Sequence, residues 1–210
     1  MSELLVVGSV AFDTLHNALG THEKVIGGSA TYASIAASFY APVKLVGVVG
    51  TDFPDAMVQK LRERGVDTSG LEVAEGQTFH WEGKYTDDLT SRESLRTDLN
   101  VFADFDPKIP EAFRDAPYVM LGNIAPELQI SVLDQIRQPK LVVADEPTSG
   151  LDEAAFQRTW RQLDRLRDDG EAAILVTTHR PEEAERCDRL AVLSERRIVL
   201  IDTPDGLRSR

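Results

Sequence analysis

Four apolar residues, Leu141 to Ala144, run without a break into two carboxylates, Asp145 and Glu146. A short unbroken apolar run marks a strand buried on both faces, which belongs in a parallel sheet rather than in a sheet with one wet side. The pattern recurs at Glu3–Val10, Val43–Val49, Tyr118–Leu121 and Ala172–Thr178. Helical patterns separate the runs: Ala30–Phe39, Asp55–Arg64 with Gly65 ending it, about Pro126–Arg137, and about Glu153–Arg167. This alternation predicts an α/β chain with a mostly parallel sheet and helices on both faces. In the last helix Phe156, Trp160, Leu163 and Leu166 fall at helical spacing and read as core contacts.

Two stretches break the alternation. Residues 15–26 are polar, with short alternating pieces, and the texture changes again from Val66 to about Asn100. Runs such as Thr78–Tyr85, rich in β-branched and aromatic residues, predict antiparallel strands with one wet face, a small β lid set into the α/β order. Near the C-terminus, Leu190–Leu193 and Ile198–Ile201 flank a polar turn and predict a hairpin.

With a formal net charge of −12, the chain has no basic surface to suggest nucleic acid or an anionic membrane as partner. The one cysteine, Cys187, excludes an internal disulfide and a multi-cysteine metal site, and it suits a reducing compartment. No apolar run approaches the roughly 18–20 residues of a membrane span. The first strand begins close to Met1 without a basic leader, so the expected location is cytoplasmic.

Ligands of open α/β sheets gather beyond the carboxyl ends of the strands. Three features fall there. Asp13 lies just past the first strand, and Gly27-Gly28-Ser29 opens a small-residue helix. Such a start permits close backbone approach, supplies an N-cap and leaves N–H groups for an anionic or polyhydroxy ligand. The third feature is Asp145 with Glu146, paired acids of the kind that hold Mg²⁺ and position water in phosphoryl transfer.

The segments GSVAFDT, GGSATYAS, LVGVVGTDF, LRERGVDTSGL and LGNIAPELQ, in that order over residues 3–144, resemble the N-terminal half of ribokinase-like (PfkB-type) carbohydrate kinases. The resemblance implies a three-layer sandwich with a β lid and an ATP- and Mg²⁺-dependent phosphotransferase. It makes Asp13 the group that holds a substrate hydroxyl, with Gly27 and Gly28 at the substrate site and lid hinge. Two positions depart from the family pattern, where Ala11 and Tyr32 replace asparagines. The Gly-Ala-Gly-Asp turn that carries the family's catalytic base and anion hole does not occur in the sequence.

From Leu141 the chain resembles a different family, the ABC transporter ATPases, through LVVADEPTSGLD and TTHRPEEAERCDRLAVL. That resemblance makes Asp145 a Mg²⁺ ligand through water and Glu146 the base that polarises water. It makes Ser149, Gly150, Leu151 and Asp152 the D-loop that meets a partner ATPase, and His179 the switch histidine at the γ-phosphate. No Gly-x4-Gly-Lys-Ser/Thr loop to cradle phosphates is present; the one Gly-Lys pair, Gly83-Lys84, runs into Tyr85.

The two resemblances together describe a chimera that joins between Pro139 and Asp145, with a kinase-like part at 1–144 and an ABC-like part at 145–210 continuing the same sheet. Three readings stay open. One is a kinase-derived sugar or nucleoside binder whose phosphoryl transfer is weak or lost. Another is an ATPase fragment that completes a nucleotide site with a partner chain, and the last is a recombination product without selected activity. Each part lacks elements it would normally pack against, which makes a homo-oligomer a further expectation.

Overall fold

The computed structural model describes residues 3–170, 172–195 and 197–209. Chain order begins β1 (Leu4–Val7), β2 (Ala11–Asn17), β3 (Gly20–Gly27), α1 (Ser29–Ala37), β4 (Val43–Gly50), α2 (Asp55–Glu63), β5 (Val66–Ala74), β6 (Phe79–Tyr85) and β7 (Arg92–Asp98). It continues with β8 (Tyr118–Leu121), α3 (Pro126–Leu133), β9 (Leu141–Asp145), α4 (Glu153–Gly170), β10 (Ala173–Thr177), α5 (Pro181–Ala184), β11 (Leu190–Ser194), β12 (Arg197–Asp202) and α6 (Pro204–Arg208). The chain divides into two compact units, one reaching Val176 and the other running from Thr177.

In the first unit six strands lie in the order β10, β9, β8, β1, β4, β5, and the pairings β9–β8, β8–β1, β1–β4 and β4–β5 are parallel. The innermost strand is the most apolar: Leu5, Val6 and Val7 of β1 have no exposed surface. Each such side chain contributes about 1.5–3 kcal/mol of burial. Val6, Val43, Leu45 and Val49 form one core with Ala30 of α1, Leu61 of α2, Phe12 and Phe53. On α4 Phe156, Trp160 and Leu163 of the predicted stripe are buried, and Leu166 is partly exposed near the end of the helix.

The lid is a second sheet, in the order β3, β2, β6, β7. β2 pairs antiparallel with β3 and parallel with β6, and β6 pairs antiparallel with β7. Val66–Ala74, taken from its texture as the start of the lid, is instead the edge strand of the main sheet. Its alternation arises because Val66 and Thr68 are buried while Asp67 and Ser69 face water, as an edge position allows. The predicted first strand also stops early, at Val7, because Gly8 and Ser9 turn the chain toward the lid.

In the second unit β11 and β12 form the predicted hairpin, with a register shift at Val192/Leu193. Thr203 caps α6 by accepting the Gly206 N–H at 3.0 Å.

The tips of β8 and β9 are tied by one buried side chain. Gln129 of α3 donates from Nε2 to the carbonyls of Gly122 and Asp145, at 3.1 and 3.2 Å. Gln129→Leu removes that donor and leaves both carbonyls without it. We expect a stability loss of about 1–3 kcal/mol, read as a lower urea midpoint at unchanged m-value.

Candidate functional site

The loop after β1 and the start of α1 build one end of the site together. Gly28, at φ 95°, turns the chain from β3 into α1, and a Cβ there would strike the Ser9 carbonyl. The Ser29 hydroxyl then sits against Gly8 and Gly122, at the tips of β1 and β8, in space that a Cβ on either glycine would take. Ser9 and Ser29 bind each other: the Ser9 hydroxyl accepts the Ser29 N–H at 3.0 Å, and the Ser29 hydroxyl accepts the Ser9 N–H at 3.3 Å. The Ser9 carbonyl also accepts the Ala30 N–H at 3.0 Å.

This arrangement corrects two expectations about the Gly-Gly-Ser start. The N-cap is Gly28, which makes no side-chain cap bond, rather than Ser29. The N–H groups of Ser29 and Ala30 are not left for a ligand, because Ser9 accepts both. Ser9 stands twenty positions away in the chain, so no local pattern announces its role.

Asp13 projects from β2, half-buried, and its carboxylate lies where a Cβ of Gly27 would be. Gly27 is therefore required for space rather than for its backbone angle. The lid supplies the rest of the surroundings. Trp81 of β6 is the register partner of Asp13, and its ring lies over Gly83 with the Arg92 guanidinium 5.2 Å from the ring centroid. Burial pushes the Asp13 carboxyl above its usual value of 3.8, while the charges of His80 and Arg92 pull it down. His80 is held by Thr14, whose Oγ1 is 2.9 Å from its Nε2. Trp81, His80 and Arg92 were not singled out from the sequence; the parallel β2–β6 pairing that brings Trp81 and His80 to Asp13 joins strands more than sixty residues apart, and Arg92 follows on β7.

The two departures from the kinase pattern have structural counterparts. Ala11 is buried, and Tyr32 donates its hydroxyl to the Ile26 carbonyl on β3 at 3.1 Å, tying α1 to the end of that strand.

Asp145 ends β9, and Glu146 follows in the left-handed region at φ 49°, unusual for a residue with a Cβ. The next turn closes through Ser149 N–H to the Glu146 carbonyl at 3.1 Å and Leu151 N–H to the Thr148 carbonyl at 3.2 Å, with Gly150 at φ 76°. Asp152 accepts the Ala155 N–H on Oδ1 at 2.8 Å and so caps α4. Gln129, which binds the carbonyls of Gly122 and Asp145, and Ser29, which packs on Gly8 and Gly122, link the tips of β1, β8 and β9 of the main sheet, while Asp13 stands on β2 of the lid sheet. His179 is exposed and belongs to the second unit. Among the described residues no group of three or more His, Cys, Asp or Glu side chains is placed to hold a metal ion.

A parallel sheet with a small β lid joined to α1 through Gly27–Gly28, and a half-buried carboxylate beside that junction, agrees with a family match over residues 1–138 to "pfkB family carbohydrate kinase". The chain belongs to that family. A cytidine kinase from Thermococcus kodakarensis is 32% identical over 149 residues, 70% of this chain and 53% of that protein, so the chain spans about half the length of this kinase. A ribokinase from Cryptococcus neoformans, solved in complex with ADP, superposes with a TM-score of 0.57 at 18% identity, covering 77% of this chain and 55% of that one. This confirms the ribokinase-like fold. A shorter match, 45% identical over 73 residues, is to the Nod factor export ATP-binding protein I of Burkholderia orbicola, covering 34% of this chain and 24% of that protein.

In this pfkB-family chain, Asp13 binds a proton more tightly when folded than when unfolded. The group's contribution to stability is fully present below about pH 3.8 and is lost as pH rises through the higher folded value. Asp13→Asn should therefore raise the melting temperature at neutral pH. The advantage should vanish when the scan is repeated below pH 3.8; an equal advantage at both pH values would contradict the assignment.

Proposed function

We propose that the chain is a pfkB-derived sugar or nucleoside binder with weak or lost phosphoryl transfer. The observation that carries the reading is the Asp13 carboxylate, half-buried over Gly27 at the lid hinge, where folding disfavours its ionised form. A substrate hydroxyl donating to Asp13 would replace the water that burial removes. The nucleoside side of the reading is supported by similarity to a cytidine kinase. Phosphoryl transfer is proposed to be weak because the sequence has no Gly-Ala-Gly-Asp turn, so no base stands ready to take the proton from that hydroxyl.

On the same reading the chain is a chimera. The kinase match ends at residue 138, and the ABC-like sequence begins on β9, at Leu141. The resemblance to ABC ATPases supports a second reading, in which Asp145 and Glu146 complete a nucleotide site with a partner ATPase. The two carboxylates fit a Mg²⁺ ion, which takes one or two protein carboxylates and keeps several waters. Asp145 would hold it through water, Glu146 would orient the attacking water, and Ser149–Asp152 would face the partner. The Asp152 cap bond to Ala155 also gives part of that loop a structural task.

Calorimetric titration of the chain with cytidine, adenosine, ribose and fructose separates the readings. We expect saturable binding of at least one of the four and its loss in Asp13→Ala. The absence of heat with all of them would sink the first reading. For the second, Mg-ATP hydrolysis should be measurable and should disappear in Glu146→Gln, whereas a flat baseline in both proteins removes it.

A further inference from the structure

Away from the sheet tips, α3 and α4 enclose a groove of about 370 Å³ lined by Glu127, Ile130, Arg158, Arg161, Gln162 and Arg165. The three arginines stand at i, i+3 and i+7 on α4, which places them on one stripe, about 4.5 Å and about 6 Å apart along the helix axis. All three are exposed, and among the described residues none has an ion-pair partner within 4 Å.

A row of three such cations stands out in a chain with a net charge of −12. Several other arginines find carboxylates: Arg96 meets Asp98 at 2.7 Å, Arg114 meets Glu111 at 3.2 Å, Arg167 meets Asp164 at 3.4 Å and Arg208 meets Glu185 at 2.8 Å. Arg62, Arg64 and Arg92 have no such partner among the described residues, and each stands singly against Thr68, Phe39 or Trp81 rather than in a row. The acid at the end of α3, Asp134, takes its hydrogen bond from Gln162 at 2.8 Å rather than from an arginine. The groove thus carries a row of three guanidinium groups without an ion pair on one wall, with the apolar Ile130 and the carboxylate Glu127 on the other.

We propose that the α3–α4 groove binds a linear oligophosphate chain, either free or carried by a nucleotide. A row of charges fits a run of linked anionic groups better than a single anion, and the guanidinium fork matches phosphate oxygens in pairs. Glu127 provides an acceptor for ribose or base donors when the chain belongs to a nucleotide. This inference uses none of the residues assigned to the proposed sugar site, so either can fail alone.

The test is calorimetric titration of the full chain at low salt, in EDTA so that no Mg²⁺ reaches Asp145 and Glu146, with sodium tripolyphosphate in one arm and ATP in the other. We expect one site per chain. Equal affinities identify the phosphate chain alone as the ligand, and tighter binding of ATP assigns added contacts to the nucleoside. Each of Arg158→Gln, Arg161→Gln and Arg165→Gln should weaken binding about two- to five-fold, and the triple variant about ten-fold or more. The melting temperature should not change, because the side chains are exposed and unpaired; if the triple variant does not fold, the single variants carry the test. Lys60→Gln, an exposed cation on α2, should leave affinity unaltered. No binding in either arm, or an equal loss in Lys60→Gln, overturns the proposal.

Discussion

The reciprocal hydrogen bonds between Ser9 and Ser29 fix the rest of the site. They tie the chain leaving β1 to the first turn of α1, and they can form only because Gly8 and Gly122 leave room for the Ser29 side chain. With α1 anchored there, Gly28 must take its positive φ and Gly27 must end β3 beside Asp13. The lid strand β2 leaves from the same Ser9 loop, so one junction sets both the helix start and the strand that carries the carboxylate. Loss of either serine bond would leave backbone N–H groups of the loop and helix without their acceptors, at about 1–3 kcal/mol for each that stays buried.

Strands β1, β4, β8 and β9 of the main sheet were legible because they are unbroken apolar runs. The run Ala172–Thr178 reads the same way, yet β10 is an edge strand rather than a buried one and leaves Leu175 53% exposed. Asp13, Gly27 and Gly28 were legible as candidates because they follow strand ends or open a helix. What escaped the sequence was long-range. The edge strand β5 alternates like a lid strand because one face of an edge is wet, and periodicity does not distinguish an edge of the main sheet from a separate sheet. The capping role of Ser9, the Gln129 clamp and the approach of Trp81, His80 and Arg92 to Asp13 all join residues that only the folded chain brings together.

The proposed junction at β9 falls where the fold asks least of sequence. β9 must bury Val142 and Ala144 and pair in parallel with β8, which most short apolar segments can do. The clamp from Gln129 grips the Asp145 carbonyl, a backbone atom present whatever residue stands there. A strand from a second ancestry can therefore enter the sheet without a matched set of side chains. Beyond it the fold is selective again: Asp152 must cap α4, and Phe156, Trp160 and Leu163 must face inward.

Asp13 shows why a carboxylate at such a hinge carries information about ligands. Folding covers it with Gly27 and the lid, and the charges of His80 and Arg92 offset only part of the desolvation, since its carboxyl still lies above the usual value. A group present for stability alone would gain by being an amide, or by a closer cation. A hydroxyl-bearing ligand offers what the protein withholds: a hydrogen-bond donor that reaches the carboxylate and replaces lost water. The same argument limits the chemistry. Accepting a hydrogen bond orients the hydroxyl, but transfer of a phosphoryl group also needs a base for its proton and donors for the charge that develops on the phosphoryl oxygens. On the proposed reading Asp13 and its neighbours supply the first requirement, recognition, and leave the other two to groups outside the β1–β2 loop and the lid.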